Sequence, residues 1–326
     1  MIAFVLTFSA CAGDSKVVSA DSGQTPDQSP FTQDVGGPSP DVPTVYACDT
    51  IDLLFVIDNS GSMFQEQESL MKSFPTFIQQ IEAIEPKIKS YHVGVVSTDV
   101  GSGPHTYTGS SCKPGGDEGK LKHDPVGAGC SGTYPKYLEG PSATMADDFS
   151  CIAALGTTGC GFEQQLEAAL QALSGQSYND GFLRKNAPLA IIFITDEDDC
   201  SADPKLFDPA DTALGSLKTR CVAQTQLLKP VADYVAAFKA LKDNPDRLVV
   251  AAITGPPGKV VIDETKFAGQ EPICSSPEFG EAAAGNRFGE LVTAFGDRGV
   301  QTSLCDGDLA KGLEVIGKAI ERVCLE

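Results

Sequence analysis

Oxygen-bearing side chains alternate in a short stretch near the start of the folded part of this sequence. Asp58, Ser60 and Ser62 supply one carboxylate and two hydroxyls. Gly61 loosens the turn, so the three side chains can converge on one point. Carboxylate and hydroxyl oxygens suit a hard divalent cation. The stretch therefore predicts one part of a cation site, and other loops must supply the rest.

A second carboxylate stands in an equivalent position farther along the chain. Asp58 directly follows the apolar run 53–57, and Asp196 follows the run 189–195. Both runs are short and rich in β-forming residues, which predicts strands that are buried on both faces. In an open α/β sheet, ligands bind beyond the carboxyl ends of the strands, where the strand order reverses. If these two strands are neighbours, their aspartates meet above one crevice.

The apolar pattern elsewhere alternates between the periods of strands and helices. Further strands are predicted at residues 91–98, 247–254 and 299–303. Helices are predicted at residues 64–84, 163–173, 231–241, 288–295 and 309–323. Pro75 falls within the first of these and predicts a kink or two consecutive helices. This order predicts an α/β fold, a three-layer, doubly wound and mainly parallel sheet with disulfide-rich loop insertions.

Loop-rich segments interrupt this alternation near residues 99–150, 197–230 and 255–285. The first is rich in Gly, Ser, Pro and Asp, and we predict that it is too irregular to form a layer of the core. The second begins with the acidic run 197–199, for which a solvated loop is favoured over a second cation site.

The cysteines predict disulfides in an oxidising compartment, because an even number remains once Cys11 is set aside. These candidates are Cys48, Cys112, Cys130, Cys151, Cys160, Cys200, Cys221, Cys274, Cys305 and Cys324. No C-x-x-C occurs, which disfavours a structural zinc site or a redox pair. Their connectivity stays open, although Cys151 with Cys160 and Cys200 with Cys221 can close small loops. Cys48 and Cys324 can then join the two ends of the domain.

The N-terminus predicts export. Residues 2–10 form a short apolar run that ends in small residues before Cys11, as in a signal peptide. Ser9, Ala10 and Cys11 resemble a bacterial lipobox, in which the cysteine is lipidated. Phe8 departs from the usual Leu, and no basic residue precedes Cys11, a gap that a start codon farther upstream would explain. Residues 12–47 are poor in large apolar side chains and predict a disordered tether before a domain at residues 48–326.

Charge and motifs exclude several function classes. Acidic residues outnumber basic ones 44 to 24, which gives a net charge of -20 and disfavours nucleic acid as a partner. None of the metalloprotease, nucleophile-elbow or P-loop patterns occurs in the sequence. A metal-assisted hydrolase that uses Asp58 and Asp196 around a cation stays an alternative. It ranks below a binding module because no general base or basic clamp stands beside the carboxylates in the sequence.

Residues 47–324 resemble the von Willebrand factor type A family. Its metal-ion-dependent adhesion site combines D-x-S-x-S after the first strand, a threonine in a middle loop and an aspartate after the fourth strand. The D-x-S-x-S here is Asp58, Ser60 and Ser62, and the final element matches Asp196, which follows a threonine. For the middle threonine the resemblance favours Thr157, with Thr158 as the alternative.

The resemblance implies a binding site in which a cation joins two molecules. Mg²⁺ fits best a small octahedral set that retains water, with Ca²⁺ or Mn²⁺ as alternatives. A carboxylate from a protein or another acidic ligand would replace one water. We therefore expect an adhesion module in the cell envelope, lipid-anchored to the outer membrane or to a periplasm-facing membrane, or else secreted. A structural envelope scaffold with a degenerate metal site is a further alternative.

Overall fold

A computed structural model describes residues 48–107, 111–125 and 129–325, apart from the side chain of Phe267. The predicted signal peptide, the lipidation site Cys11 and the tether 12–47 lie outside these residues. Within the described part of the chain, no helix is both long enough and apolar enough to cross a membrane.

One six-stranded sheet forms the centre of the fold. In chain order the strands are β1 (Thr50–Ile57), β2 (Ser90–Ser97), β3 (Leu138–Gly140), β4 (Leu189–Ile194), β5 (Leu248–Thr254), β6 (Cys274–Ser276), β7 (Gly280–Ala282) and β8 (Gly299–Ser303). The main sheet has the order β3-β2-β1-β4-β5-β8, and β6 and β7 pair separately. All neighbours in the main sheet are parallel except β2 and β3. The predicted doubly wound, mainly parallel sheet is therefore confirmed.

Helices cover both faces of this sheet. They are α1 (Phe64–Glu82), α2 (Met145–Ala153), α3 (Gln165–Leu173), α4 (Arg220–Ala223), α5 (Val231–Ala240), α6 (Asn286–Thr293) and α7 (Leu309–Leu325). One core layer lies between the sheet and α1, α2 and α7, and the other lies between the sheet and α3, α5 and α6. Successive residues of β1 alternate between the two layers, with Phe55 in the first and Val56 in the second. The predicted burial of this strand on both faces is thus correct.

One prediction about the first half of the domain is narrowed and another is wrong. Pro75 lies inside α1, which is a single helix, so of the two alternatives at this proline the two consecutive helices are excluded. Buried neighbours such as Phe74 and Phe77 hold that helix on the sheet, which offsets the hydrogen bond that proline cannot donate. The segment 99–150 also contributes to the core, because β3 extends the sheet and α2 covers it. A strand of three residues is too short to give a clear periodic signal, and α2 follows directly on the loop rich in Gly, Ser, Pro and Asp, which conceals its start.

Five disulfides join the ten cysteines of the domain. Cys48–Cys324 joins its ends and Cys200–Cys221 closes a short loop, both as predicted. The remaining bonds are Cys112–Cys160, Cys130–Cys151 and Cys274–Cys305. The pairing of Cys151 with Cys160 was wrong. Cys151 lies on α2, whereas Cys160 belongs to a separate small cluster with Phe162 and Phe207, so closeness in sequence does not bring their sulfurs together.

A substitution of Phe149 can measure how much α2 contributes to the stability of the fold. This ring stacks on Phe74 with 3.5 Å between centroids and meets Phe55 edge-on at 5.0 Å. Because the side chain is fully buried, Phe149→Ala should lower the free energy of unfolding by about 3–5 kcal/mol in a urea titration. Asp147→Asn changes an exposed residue of the same helix and serves as control. A loss below about 1 kcal/mol for Phe149→Ala would show that α2 is not part of the core.

Candidate metal centre

The two predicted aspartates lie at one edge of the sheet. β1 and β4 are parallel neighbours, and Ile57 stands opposite Ile194 at their carboxyl ends. The strand order reverses here, since the chain proceeds from β1 to β2 on one side and from β4 to β5 on the other. The sequence prediction that these strands meet at the switch point is therefore confirmed. Asp58 follows β1 directly at this edge, and Asp196 follows β4 after Thr195.

The turn after β1 is organised around the Asp58 carboxylate. Its Oδ1 accepts a hydrogen bond from the Ser60 amide at 2.8 Å, and its Oδ2 accepts one from the Thr195 hydroxyl at 2.6 Å. The hydroxyls of Ser60 and Ser62 lie 3.2 Å apart. Burial raises the pKa of Asp58, and the hydrogen bond from Thr195 opposes that rise. Both serine hydroxyls thus stand beside an anchored carboxylate.

Asp196 is buried without such support. It is 1% exposed, and neither carboxylate oxygen accepts a hydrogen bond from the described residues. Burial raises its pKa well above the ordinary value, and the nearby charge of Asp58 raises it further. The Ser62 hydroxyl lies close enough to oppose this rise, but it does not reach hydrogen-bond geometry with either oxygen. A carboxylate in this position requires either a proton or a cation.

The middle loop lies beside the first turn, but the structure leaves the choice of threonine open. Gln67 donates to the Asp58 carbonyl at 3.0 Å and to the Gly156 carbonyl at 2.9 Å, which ties the two loops together. The loop also docks through the Gly159 amide, which donates to the Asn59 carbonyl at 2.8 Å. Thr157 is partly buried and Thr158 is exposed. Both therefore stay predictions as metal ligands.

Further carboxylates surround the two aspartates, and the sequence did not reveal them. Glu66, Glu163 and Glu197 come from α1, the loop before α3 and the loop after β4. Burial and the charge of Asp58 raise the pKa of Glu66 to about 7 and that of Glu197 to about 8. Burial, then the charges of Glu197 and Asp58, raise the pKa of Glu163 well above its usual range. Five carboxyl groups thus crowd this edge of the sheet, and burial and mutual repulsion favour their protonated forms when no cation is bound.

Any metal site here would depend on ligands other than carboxylates. Within the described residues, no three His, Cys, Asp or Glu side chains are grouped so that they could hold a metal ion. A cation at this edge would therefore need further oxygens, which the Ser60 and Ser62 hydroxyls can supply. The donor set of two carboxylates and neutral oxygens fits Mg²⁺, and Ca²⁺ accepts the same ligand types.

The acidic run after β4 differs from its prediction. Asp198 accepts hydrogen bonds from the amides of Asn286 and Arg287 at the start of α6. Asp199 is buried, accepts from the Leu166 amide at the start of α3 and pairs with Arg287 at 3.0 Å. Asp198 and Asp199 thus accept from the first amides of two helices, so these two side chains do not form a solvated loop. The sequence predicted a surface role because α3 and α6, the helices whose first amides donate to these aspartates, begin at distant positions in the chain.

Several solved structures are remotely similar to this chain. No protein-family model and no curated protein matches this chain. The structure is similar to a von Willebrand factor type A protein from Catenulispora acidiphila, with 12% identity, 83% of this chain and 43% of that chain covered and a TM-score of 0.34. It is also similar to proximal thread matrix protein 1 of the mussel byssus, with 12% identity, 86% and 49% covered and a TM-score of 0.39. The pilus adhesin SpaC of Lactobacillus rhamnosus GG, in its open conformation, has 10% identity, 84% and 30% covered and a TM-score of 0.39.

This chain spans less than half the length of each of these three proteins. Likenesses at this level identify neither a family nor a function. The assignment of the fold rests on the strand order and the helix layers described above.

The cost of the buried acids should appear in the pH dependence of stability. A carboxyl with a raised pKa binds its proton more tightly in the folded than in the unfolded state, so stability falls as pH rises from about 4.5 to about 7 for Glu66. Glu66→Gln should therefore be more stable than the wild type at pH 8 in EDTA, by on the order of 3 kcal/mol. The difference should fade toward pH 4.5. Urea titrations across this range measure it.

Glu68→Gln is the matched control, since Glu68 lies on the same helix but its side chain is 46% exposed, in a surface pair with Lys72. Its stability should follow the wild-type pH profile. Parallel profiles for Glu66→Gln and the wild type would contradict the electrostatic account of this edge.

Proposed function

We propose that this protein is an exported binding module of the von Willebrand factor A type that engages a carboxylate-bearing partner through a divalent cation. The cation ligands in this proposal are Asp58, Ser60, Ser62, Asp196 and either Thr157 or Thr158. Mg²⁺ is the expected ion, and Ca²⁺ or Mn²⁺ could take its place.

The observation that carries the proposal is the Asp196 carboxylate. An isolated buried carboxylate costs several kcal/mol unless it is neutralised. Asp196 has no hydrogen-bond donor in the described residues and faces the negative charge of Asp58. A divalent cation between these carboxylates would remove that cost, and the hydroxyl pair of Ser60 and Ser62 stands beside them.

Some residues of the site orient Asp58 and others would hold the cation, and this arrangement supports the binding of a partner. Thr195 and the Ser60 amide fix the orientation of Asp58, and Gln67 holds the first turn against the middle loop. The bound cation would offer a partner's carboxylate an open coordination position. Neutral hydroxyl ligands leave part of the ion's charge unneutralised, which favours an acidic partner.

Export is supported by the disulfides. The five bonds join all ten cysteines between Cys48 and Cys324, which is typical of proteins in oxidising compartments. In the proposal, lipidation at Cys11 and the tether 12–47 hold the domain at the cell envelope. The net charge of -20 makes nucleic acid an unsuitable partner.

Asp196→Asn tests the cation site directly. The wild type should gain stability on addition of Mg²⁺, by about 2.7 kcal/mol at a concentration one hundred times the Kd. The variant should lose most of this gain, because an amide cannot neutralise the ion. Calorimetric thermal unfolding with Mg²⁺ and with EDTA measures the effect, and Asp233→Asn at an exposed position of α5 is the control.

Equal responses of the wild type and Asp196→Asn to Mg²⁺ would contradict the proposed site. The same pair of proteins can serve as bait for envelope extracts. Partner capture by the wild type should be reversed by chelator and absent for Asp196→Asn. Capture that persists in EDTA would instead support the scaffold alternative.

A further inference from the structure

Exposed apolar side chains accompany the proposed cation site on two of the connections that leave this edge of the sheet. Among the described residues, the large hydrophobic side chains that are exposed are those of Phe64, Val261, Ile262, Val315 and Leu325. The last two lie on α7. The first three follow β1 and β5, whose carboxyl ends lie at the same edge because both strands are parallel to β4. We call Phe64, Val261 and Ile262 the apolar rim.

Phe64 is held beside the proposed cation ligands by the helix that it begins. Its Cα lies within about 7 Å of that of Ser62, because two residues of chain cannot span more. Glu66 and Leu70, on the inner face of α1, are fully buried, whereas the Phe64 side chain is 59% exposed. The core therefore gains little from this ring, and the buried face of the helix fixes where the ring meets solvent.

The insertion after β5 borders the site from the side of Asp196. The Ala283 amide in this insertion donates to the Asp196 carbonyl at 2.8 Å. Val260, the neighbour of Val261, lines a cavity of about 210 Å³ together with Glu197, which directly follows Asp196. The apolar rim thus approaches the site from two separate connections.

Val261 and Ile262 are exposed on an ordered backbone. The Glu271 amide donates to the Val261 carbonyl at 2.8 Å, and Ile262 forms an antiparallel bridge with Gln270. The side chains of the pair are nevertheless 44% and 50% exposed. Backbone pairing holds these two residues, and their side chains remain available to another molecule.

The charge of the chain limits which carboxylate-bearing partners suit this surface. A net charge of -20 repels a segment that is rich in acidic residues as it approaches. The cation would compensate one carboxylate, but each further acidic side chain of the partner would add repulsion. Apolar side chains carry no such cost, and their burial against the apolar rim would add affinity.

We propose that the apolar rim binds apolar side chains that flank the carboxylate of the partner. The recognised segment is then a single acidic residue between large apolar residues. This assignment rests on the proposed function, because it takes the cation as the contact of the acidic residue. Phe64 and Val261 select among acidic segments, whereas the oxygen ligands hold the ion.

Three capped tripeptides test the chemistry of the partner on the full chain with saturating Mg²⁺. Leu-Asp-Leu should bind about tenfold more tightly than Gly-Asp-Gly or Asp-Asp-Asp, since only its flanking side chains bury apolar surface. Chemical-shift titrations by nuclear magnetic resonance measure the affinities. Binding of Gly-Asp-Gly or Asp-Asp-Asp that is as tight as that of Leu-Asp-Leu would overturn the proposal.

Three serine variants locate the contact. Phe64→Ser and Val261→Ser should each weaken the binding of Leu-Asp-Leu about threefold or more and leave that of Gly-Asp-Gly unchanged. Val315→Ser is the matched control, because Val315 is 43% exposed on α7 and should not contact the peptide. Unchanged binding of Leu-Asp-Leu in either rim variant, or equal weakening in Val315→Ser, would also overturn the proposal.

The response to Mg²⁺ separates this proposal from the proposed function. All three serine variants should keep the wild-type gain in thermal stability, because none of them changes a cation ligand. If Mg²⁺ stabilises the wild type but Leu-Asp-Leu binds no more tightly than Gly-Asp-Gly, the role of the rim is wrong and the cation site stands.

The peptide Leu-Asn-Leu, which lacks the carboxylate, covers the opposite case. It should bind about tenfold more weakly than Leu-Asp-Leu in Mg²⁺, since an amide cannot replace a carboxylate at the cation. If Mg²⁺ does not stabilise the protein and both leucine peptides bind equally, but more weakly to Phe64→Ser, the proposed function fails and the apolar contact stands.

Discussion

The pairing of β1 with β4 buries two carboxyl side chains at the same edge of the sheet. Asp58 and Asp196 follow the ends of these strands and are 0% and 1% exposed. The apolar strands that carry them can be buried only if this edge is buried too, so the cost of the charges is tied to the core itself. Asp58 is compensated by two hydrogen bonds, whereas Asp196 has none from the described residues. The burial of Asp196 without a hydrogen-bond donor is therefore the unfavourable contribution that the surrounding structure has to offset.

Those loops hold the edge through backbone contacts instead of neutralising it. The Asp58 amide donates to the Ile194 carbonyl at 3.0 Å, and the Ala283 amide donates to the Asp196 carbonyl at 2.8 Å. The Cys200 amide donates to the Glu163 carbonyl, which places a disulfide-tied loop directly against the middle loop. The backbone is therefore fixed, while the Asp196 carboxyl accepts no hydrogen bond from the described residues. In the proposed function, such an arrangement would order the ligands before the cation binds and lower the cost of ordering them on binding.

Long apolar runs and motifs of a few neighbouring residues can be recognised in the sequence alone. Contacts between distant segments of the chain cannot. The fully apolar β1 and β4 and the alternate residues Asp58, Ser60 and Ser62 can be recognised from a few neighbouring letters. The short β3 and α2 cannot, and Phe149 acquires its importance only by packing on α1. Glu66 and Glu163 resemble surface acids in sequence, since their burial results from loops that meet in space.

The central claim is that a divalent cation binds between Asp58 and Asp196. A crystal structure of the full chain grown with Mn²⁺, with anomalous differences measured for the metal, tests this claim most directly. We expect one strong anomalous peak at the carboxyl edge of β1 and β4, in contact with the hydroxyls of Ser60 and Ser62. The map would also show whether Thr157 or Thr158 contributes. A map without a peak at this edge, at a Mn²⁺ concentration that saturates the protein in solution, would contradict the account.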